Sequence, residues 1–362
     1  MKSLYKITPH IKNYSWGSQD SNSWVGKIAL SIGNNQKPYA EAWYGDHRNG
    51  PSLVDGKNIE NVLKGKLDFL GKILSIARPL SIQVHPNKIM AKELHQQLPE
   101  EFKDAHAKEE GAVALSQLDI AHSLLNKSQI RERIKNFPEL LLLLGEKEVF
   151  RILDSEETNP KDLLKKILEC SKEEIKRCCQ QLWSRLEKKE TNLLTKYLIK
   201  LEQLYPEGDV GIFVLILMNI IRLEPGQAIH TPTGCPHAYL EGELIEIMEP
   251  SDNVLRCGLT EKKIDCDNFI KSINSEQNTV GIIQPKQEAI ILGNLCIQFL
   301  SSGSTIFTGN KPKIVVSLDA SGEIKCANGS HSFHALSSFL VTENKTIDIK
   351  FDSGRIISFG NR

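Results

Sequence analysis

The hydrophobic pattern of this 362-residue chain changes character twice. Up to about Leu115, short β-like runs such as Leu80-Ser81-Ile82-Gln83-Val84 are broken by Gly, Pro and Asn, as at Ile32-Gly33-Asn34-Asn35 and His85-Pro86-Asn87. One helix is predicted near Lys88–Gln97, where Lys, Ala, Glu and Leu are frequent. From about Ser116 to Tyr205 glycine almost vanishes. Apolar residues there recur at helical spacing, as in Asp162-Leu163-Leu164-Lys165-Lys166-Ile167-Leu168 and Leu193-Leu194-Thr195-Lys196-Tyr197-Leu198. The charged faces of this block read as solvated surface. After Pro206-Glu207-Gly208-Asp209 the β-like runs return. Arg222–Ile229 reads as strand, turn, strand, and from about Gln284 onward short strands recur between turns at 301–304, 320–322 and 352–354.

This order predicts a mainly β protein with a helical insert. The expected division is a first β part over 1–115, the helical insert over 116–206, a second β part over 207–280 and a C-terminal β domain over 281–362. Short strands with recurring turns suggest a β-sandwich or jelly roll.

Charge narrows the function classes. Forty-five Lys and Arg balance 45 Asp and Glu, so no broad field attracts nucleic acid or an anionic membrane. The longest mostly apolar run, Gly211 to Ile221, is too short to cross a bilayer as a helix and reads as a buried strand or helix. The opening Met-Lys-Ser-Leu-Tyr-Lys lacks an apolar signal-peptide core. Eight cysteines, at 170, 178, 179, 235, 257, 266, 296 and 326, form no Cys-x-x-Cys pair, so reduced thiols in a cytoplasm are expected.

Four segments carry chemistry-bearing side chains. In Pro79–Pro86, Gln83 and His85 are two apart on a strand and share a face, so an amide and an imidazole project together. In Pro236–Glu246, His237 follows a turn, and Glu246 faces away from its neighbours Ile245 and Ile247, toward solvent or toward a barrel interior. In Ser251–Lys263, Arg256 and two lysines gather near Gly258, either as a basic loop or as a phosphate contact. In Phe102–Leu115, acid, base and imidazole crowd ahead of an apolar strand.

Together these segments resemble the zinc-dependent, cupin-type mannose-6-phosphate isomerase family. Its Ser-Ile-Gln-Val-His-Pro stands unchanged at Ser81–Pro86, and Pro-His-Ala-Tyr-Leu, Ser-Asp-Asn and Arg-x-Gly-Leu-Thr follow between Pro236 and Lys262. Asn13–Ser18 and Tyr39–Gly45 look like its N-terminal landmarks. The resemblance implies one Zn2+ per chain held by Gln83, His85, His237 and a glutamate. The family's Lys-Asp-Pro-Asn-His-Lys-Pro-Glu aligns with Lys103–Glu110, which makes Glu110 the ligand, Glu109 a replacement for proline and Ala107 a replacement for histidine. A register one residue shorter selects Glu109. Glu249-Pro250 replace a small pair before Ser251, Cys257 replaces a small apolar residue, and His230 is an extra imidazole with an expected surface or packing role.

The resemblance further implies a cupin-type jelly-roll catalytic domain, a second jelly-roll-like C-terminal domain and an aldose–ketose isomerase. Its substrate is a sugar phosphate, and the chain is a monomer or weak homo-oligomer. Glu246 is the implied acid–base group, and Arg256 the oxyanion contact. Lys108 and Lys262 are implied phosphate or hydroxyl contacts, with Ser81 a weaker one. The competing expectations are a catalytically degenerate sugar- or metal-binding cupin and a metal-dependent oxygenase with a two-histidine, one-carboxylate site.

Overall fold

The computed structural model describes residues 2–186, 191–274, 280–284 and 289–362. Its centre is an eleven-stranded antiparallel sheet folded on itself. The strand His237–Met248 runs through both walls. Its first half pairs with Leu118–Leu124 and, at His237, with Gln83 of strand Ile82–Val84; its second half pairs with Leu70–Ile76 and Glu110–Ala114. Between the halves the register shifts so that Leu240 is unpaired. Gly242 follows at φ +125°, and a Cβ there would lie 2.4 Å from the Gln117 carbonyl, so only glycine permits the bend.

Each wall is backed by a different layer. Ile82, Val84, Ala238 and Leu255 face a core formed with the helical insert. Ile73, Val113, Ile245 and Ile247 face a core shared with Leu292, Leu340 and Phe359 of the C-terminal β region. Between the walls, Leu74, Ala112, Leu118, Ile120, Tyr239 and Leu244 fill the interior.

The helices are locally encoded. Lys127–Asn136, Pro160–Leu168, Lys172–Arg185 and Leu193–Leu204 each begin with a capping box, at Asn126, Asn159, Ser171 and Asn192. The amphipathic helix Glu146–Asp154 buries Val149, Ile152 and Leu153. Lys88–Gln97 is helical as expected, capped by Asn87.

Several expectations need correction. The helical block was expected from Ser116, but Leu118–Leu124 is a strand buried along its whole length, and helix begins at Lys127. The Gly211–Ile221 run is neither one strand nor one helix. Asp209 caps a helix at Val210–Ile216, and the chain then turns into strand Met218–Leu223. Helix Trp24–Ser31 was not anticipated. The first strand, Leu4–Ile7, joins Ser338–Val341 in the C-terminal six-stranded sheet rather than the central one.

Candidate metal centre

Backbone pairing assembles the site. His122, His237, Gln83 and Arg256 lie directly opposite one another across four adjacent strands, which sets their side chains on one face of one wall. Ala112, Glu246, Lys72 and Trp43 form the matching row on the other wall. His85 lies two residues beyond Gln83 and Glu110 two before Ala112, so both enter the interior.

His85, Glu110 and His237 are buried, and their donor atoms all lie within 4.8 Å of one another. Glu110 Oε1 is 3.3 Å from His85 Nε2, and Glu110 Oε2 is 3.2 Å from His237 Nε2. Each imidazole is held from behind: His85 Nδ1 donates to the Asn253 carbonyl at 2.8 Å and His237 Nδ1 to the Cys235 carbonyl at 2.9 Å. Both Nε2 atoms are thereby left as bare acceptors. Among the described residues, His85 Nε2 and Glu110 Oε2 are buried without a hydrogen-bond partner. Buried polar atoms are seldom left so, and a cation coordinated by two imidazoles and a carboxylate would satisfy them.

Gln83 completes the group from the side. Its carboxamide nitrogen lies 3.2 Å from His237 Nε2, and a half-turn of the amide presents Oε1 to the same point. Burial, then the nearby Lys108, lowers the His85 pKa to about 4, keeping the ring neutral as a ligand must be. Burial alone would raise Glu110, but the Lys108 ammonium outweighs it and holds its carboxyl well below the usual range. Lys108 is buried, with Nζ 2.6 Å from Glu110 Oε1.

The other anticipated residues lie around this cluster. Glu246 is buried and its Oε2 meets Lys72 Nζ at 2.9 Å. Burial raises its pKa against the pull of Lys72. Among the described residues the buried Tyr239 hydroxyl lacks a hydrogen-bond partner, and burial and the Glu246 charge suppress its ionisation. Arg256 is mostly buried, which lowers its pKa. Lys262 is exposed, yet partial desolvation and the Arg256 charge lower its pKa. Ser81 is half-buried just ahead of the Gln83 strand.

Glu109, the ligand of the shorter register, points away from the cluster, and its Oε2 lies 3.5 Å from His230 Nε2. Sequence reasoning missed Lys72, Glu41 and Asn253. Lys72 had a signal, a lone charge inside the apolar run Leu70–Ile76, matching Glu246 inside its own run. Glu41 lies 4.0 Å from Lys72 Nζ and accepts from the Trp43 indole. Nothing in a one-dimensional reading marks the carbonyl of Asn253 as the support of His85.

The chain is also similar to known proteins. Residues 4–124 match the model for the catalytic domain of type I phosphomannose isomerase, and residues 94–218 match its helical insertion domain. A probable mannose-6-phosphate isomerase of Caenorhabditis elegans is 35% identical over 84% of this chain and 76% of its own. The human mannose-6-phosphate isomerase is 31% identical over 75% of this chain and 73% of its own. A crystal structure of the Salmonella typhimurium enzyme, described as bound to fructose 6-phosphate and zinc, superposes over 100% of both chains with a TM-score of 0.83 at 23% identity. That likeness speaks for the fold, while the sequence relatives speak for descent: the chain belongs to the mannose-6-phosphate isomerase family.

Proposed function

We propose that the chain interconverts mannose 6-phosphate and fructose 6-phosphate with one zinc ion per chain. The observation that carries the reading is the buried His85–Glu110–His237 group, with its unpartnered donor atoms, in a member of this family. Gln83, His85, Glu110 and His237 are the residues that would hold the ion. When bound, zinc supplies a Lewis acid that polarises the sugar carbonyl. Glu246 is assigned the proton transfer between C2 and C1, since burial moves its pKa toward the range where a carboxylate works as a base near neutrality. Lys72 fixes its position through their 2.9 Å contact. Arg256 faces the developing charge on the enediol oxygens. Lys108 and Lys262 reach the phosphate or hydroxyls, with Ser81 a weaker contact.

A cupin-type jelly-roll catalytic unit from 1–115 and 207–280 carries a helical insert over 116–206, and a second jelly-roll-like unit follows over 281–362. The strand Leu118–Leu124 and the helix Val210–Ile216 favour moving both insert limits toward the C-terminus. Among the described residues no helix is long and apolar enough to cross a membrane. A cytoplasmic monomer or weak homo-oligomer, acting on a small sugar phosphate without nucleic acid or membrane, fits the balanced charge. A degenerate sugar-binding cupin is less well supported, because the altered segment 105–110 still brings Glu110 to both imidazoles.

The test is a coupled assay of mannose 6-phosphate conversion, without oxygen or redox cofactor, before and after chelation. Activity should vanish with chelator and return with zinc. Folded protein inactive in every zinc condition would overturn the reading in favour of the degenerate cupin.

A further inference from the structure

Glu109, Glu249 and His230 lie together beside Glu110. The Glu109 N–H, which a proline would lack, donates to Glu249 Oε2 at 3.1 Å, and the Glu249 N–H returns a bond to the Glu109 carbonyl at 3.0 Å. On the other side the Glu109 carboxylate reaches His230, whose strand Ala228–Thr231 pairs with Glu110–Ala114.

This knot is tied to Glu110 by the chain itself. Proline restricts its own φ and disfavours helical conformation in the residue before it, so a proline at 109 would stiffen the approach to the carboxylate at no cost in hydrogen bonds. Any other residue frees that backbone and exposes a donor that must be satisfied. Glu249 satisfies it. The neighbouring packing leaves the segment little room: a Cβ on Gly111 would lie 1.8 Å from Leu292 Cδ1, and one on Gly293 2.3 Å from Glu109 Oε2.

We propose that Glu249, with Glu109 and His230, is a positioning clamp that holds the Glu110 carboxylate in place for the metal. The inference rests on the zinc-centre reading above. It goes beyond it by giving residues outside the cluster a defined effect on metal affinity through a named hydrogen bond.

The test is zinc affinity, measured by chelator competition on purified protein, with thermal stability alongside. Glu249→Ala should weaken zinc binding by about tenfold, within the range for losing an outer-shell partner. Glu249→Gln retains an acceptor and should bind nearly as the unsubstituted protein does. In the double variant Glu109→Pro with Glu249→Ala, zinc affinity should return, because the proline removes the donor and restores the stiffness. At saturating zinc, Glu249→Ala should recover its kcat with an unchanged KM for mannose 6-phosphate. A merely structural residue would lower thermal stability and leave zinc affinity alone. That result, or a double variant no tighter than Glu249→Ala, overturns the clamp. If the unsubstituted protein takes up no zinc, the metal-centre reading falls and the clamp with it.

Discussion

Two charge clusters share the strand His237–Met248 and face opposite ways. Inside the barrel are His85, Glu110, His237, Lys108, Glu246 and Lys72. Outside, against the helical insert, Asp119 accepts from Arg222 Nε at 2.6 Å and Nη2 at 2.8 Å, from the Tyr197 hydroxyl at 2.6 Å and from Lys196 Nζ at 3.0 Å. Glu241, paired in register with Asp119, holds Lys196 at 2.7 Å and Lys200 at 3.5 Å, and Lys200 also donates to the Ala77 carbonyl. The outer cluster saturates its acceptors from within the chain. The inner one keeps a buried imidazole nitrogen, a carboxylate oxygen and a tyrosine hydroxyl without partners among the described residues. Saturation fastens the insert to the barrel, while the inner donor atoms converge where a cation would satisfy them.

The largest difference between the clusters should be seen in turnover. Glu246→Gln should lower kcat by about 10²- to 10⁴-fold, the usual worth of a positioned acid–base group, with zinc still bound at one per chain. Near-normal kcat in zinc-loaded protein would remove Glu246 from the proton transfer.

The outer cluster should respond in stability instead. Asp119→Ala strands Arg222, Lys196 and Tyr197 at a half-buried interface. Breaking such a network costs about 2–3 kcal/mol, below the fully buried figure because Arg222 is partly in water. The midpoint of thermal unfolding should fall while kcat at low temperature stays the same. An equal loss of kcat would mean the outer cluster also shapes the site.

The smallest effect is a pH dependence. Burial would raise Asp119, but its bonds from Arg222, Tyr197 and Lys196 prevail and bring its pKa down to about 2. A depressed carboxylate contributes stability above its unfolded pKa near 4 and loses it as pH falls toward 2. Asp119→Asn should therefore show a shallower loss of stability than the unsubstituted protein between about pH 4 and pH 2. Parallel acid-unfolding curves would show that Asp119 is not responsible.

The inner cluster was legible where side-chain parity is local. Gln83 and His85 are two apart on one strand, and the alternation alone joins them. Parity misleads at His237 and Glu246, nine residues apart, which a regular strand would put on opposite faces. The unpaired Leu240 shifts the parity by one, and both enter the barrel while Glu241 turns outward. A bulge has no strong sequence mark beyond Gly242. Lys72 was marked as a lone charge in an apolar run, but its partner Glu246, like Asp119 for Arg222, is chosen by strand pairing far along the chain. The start of the helical block was misplaced because Leu118–Leu124 carries Asp119 and His122 in a segment otherwise poor in turn signals. Helices of the insert were readable where apolar periodicity is local, as in Pro160–Leu168 and Leu193–Leu204.

The pairing of Leu4–Ile7 with Ser338–Val341 bears on how the molecule is made. On a ribosome the first of these strands emerges hundreds of residues before the second, and the Ser338 hydroxyl that bonds the Ile7 carbonyl arrives later still than the helical insert. The insert, rich in local contacts, can form while synthesis continues, whereas Leu4–Ile7 must wait as an unpaired edge. Residues 289–362 thus take a strand from the other end of the chain, so excising them as a separate unit would leave Ser338–Val341 without a neighbour on one side.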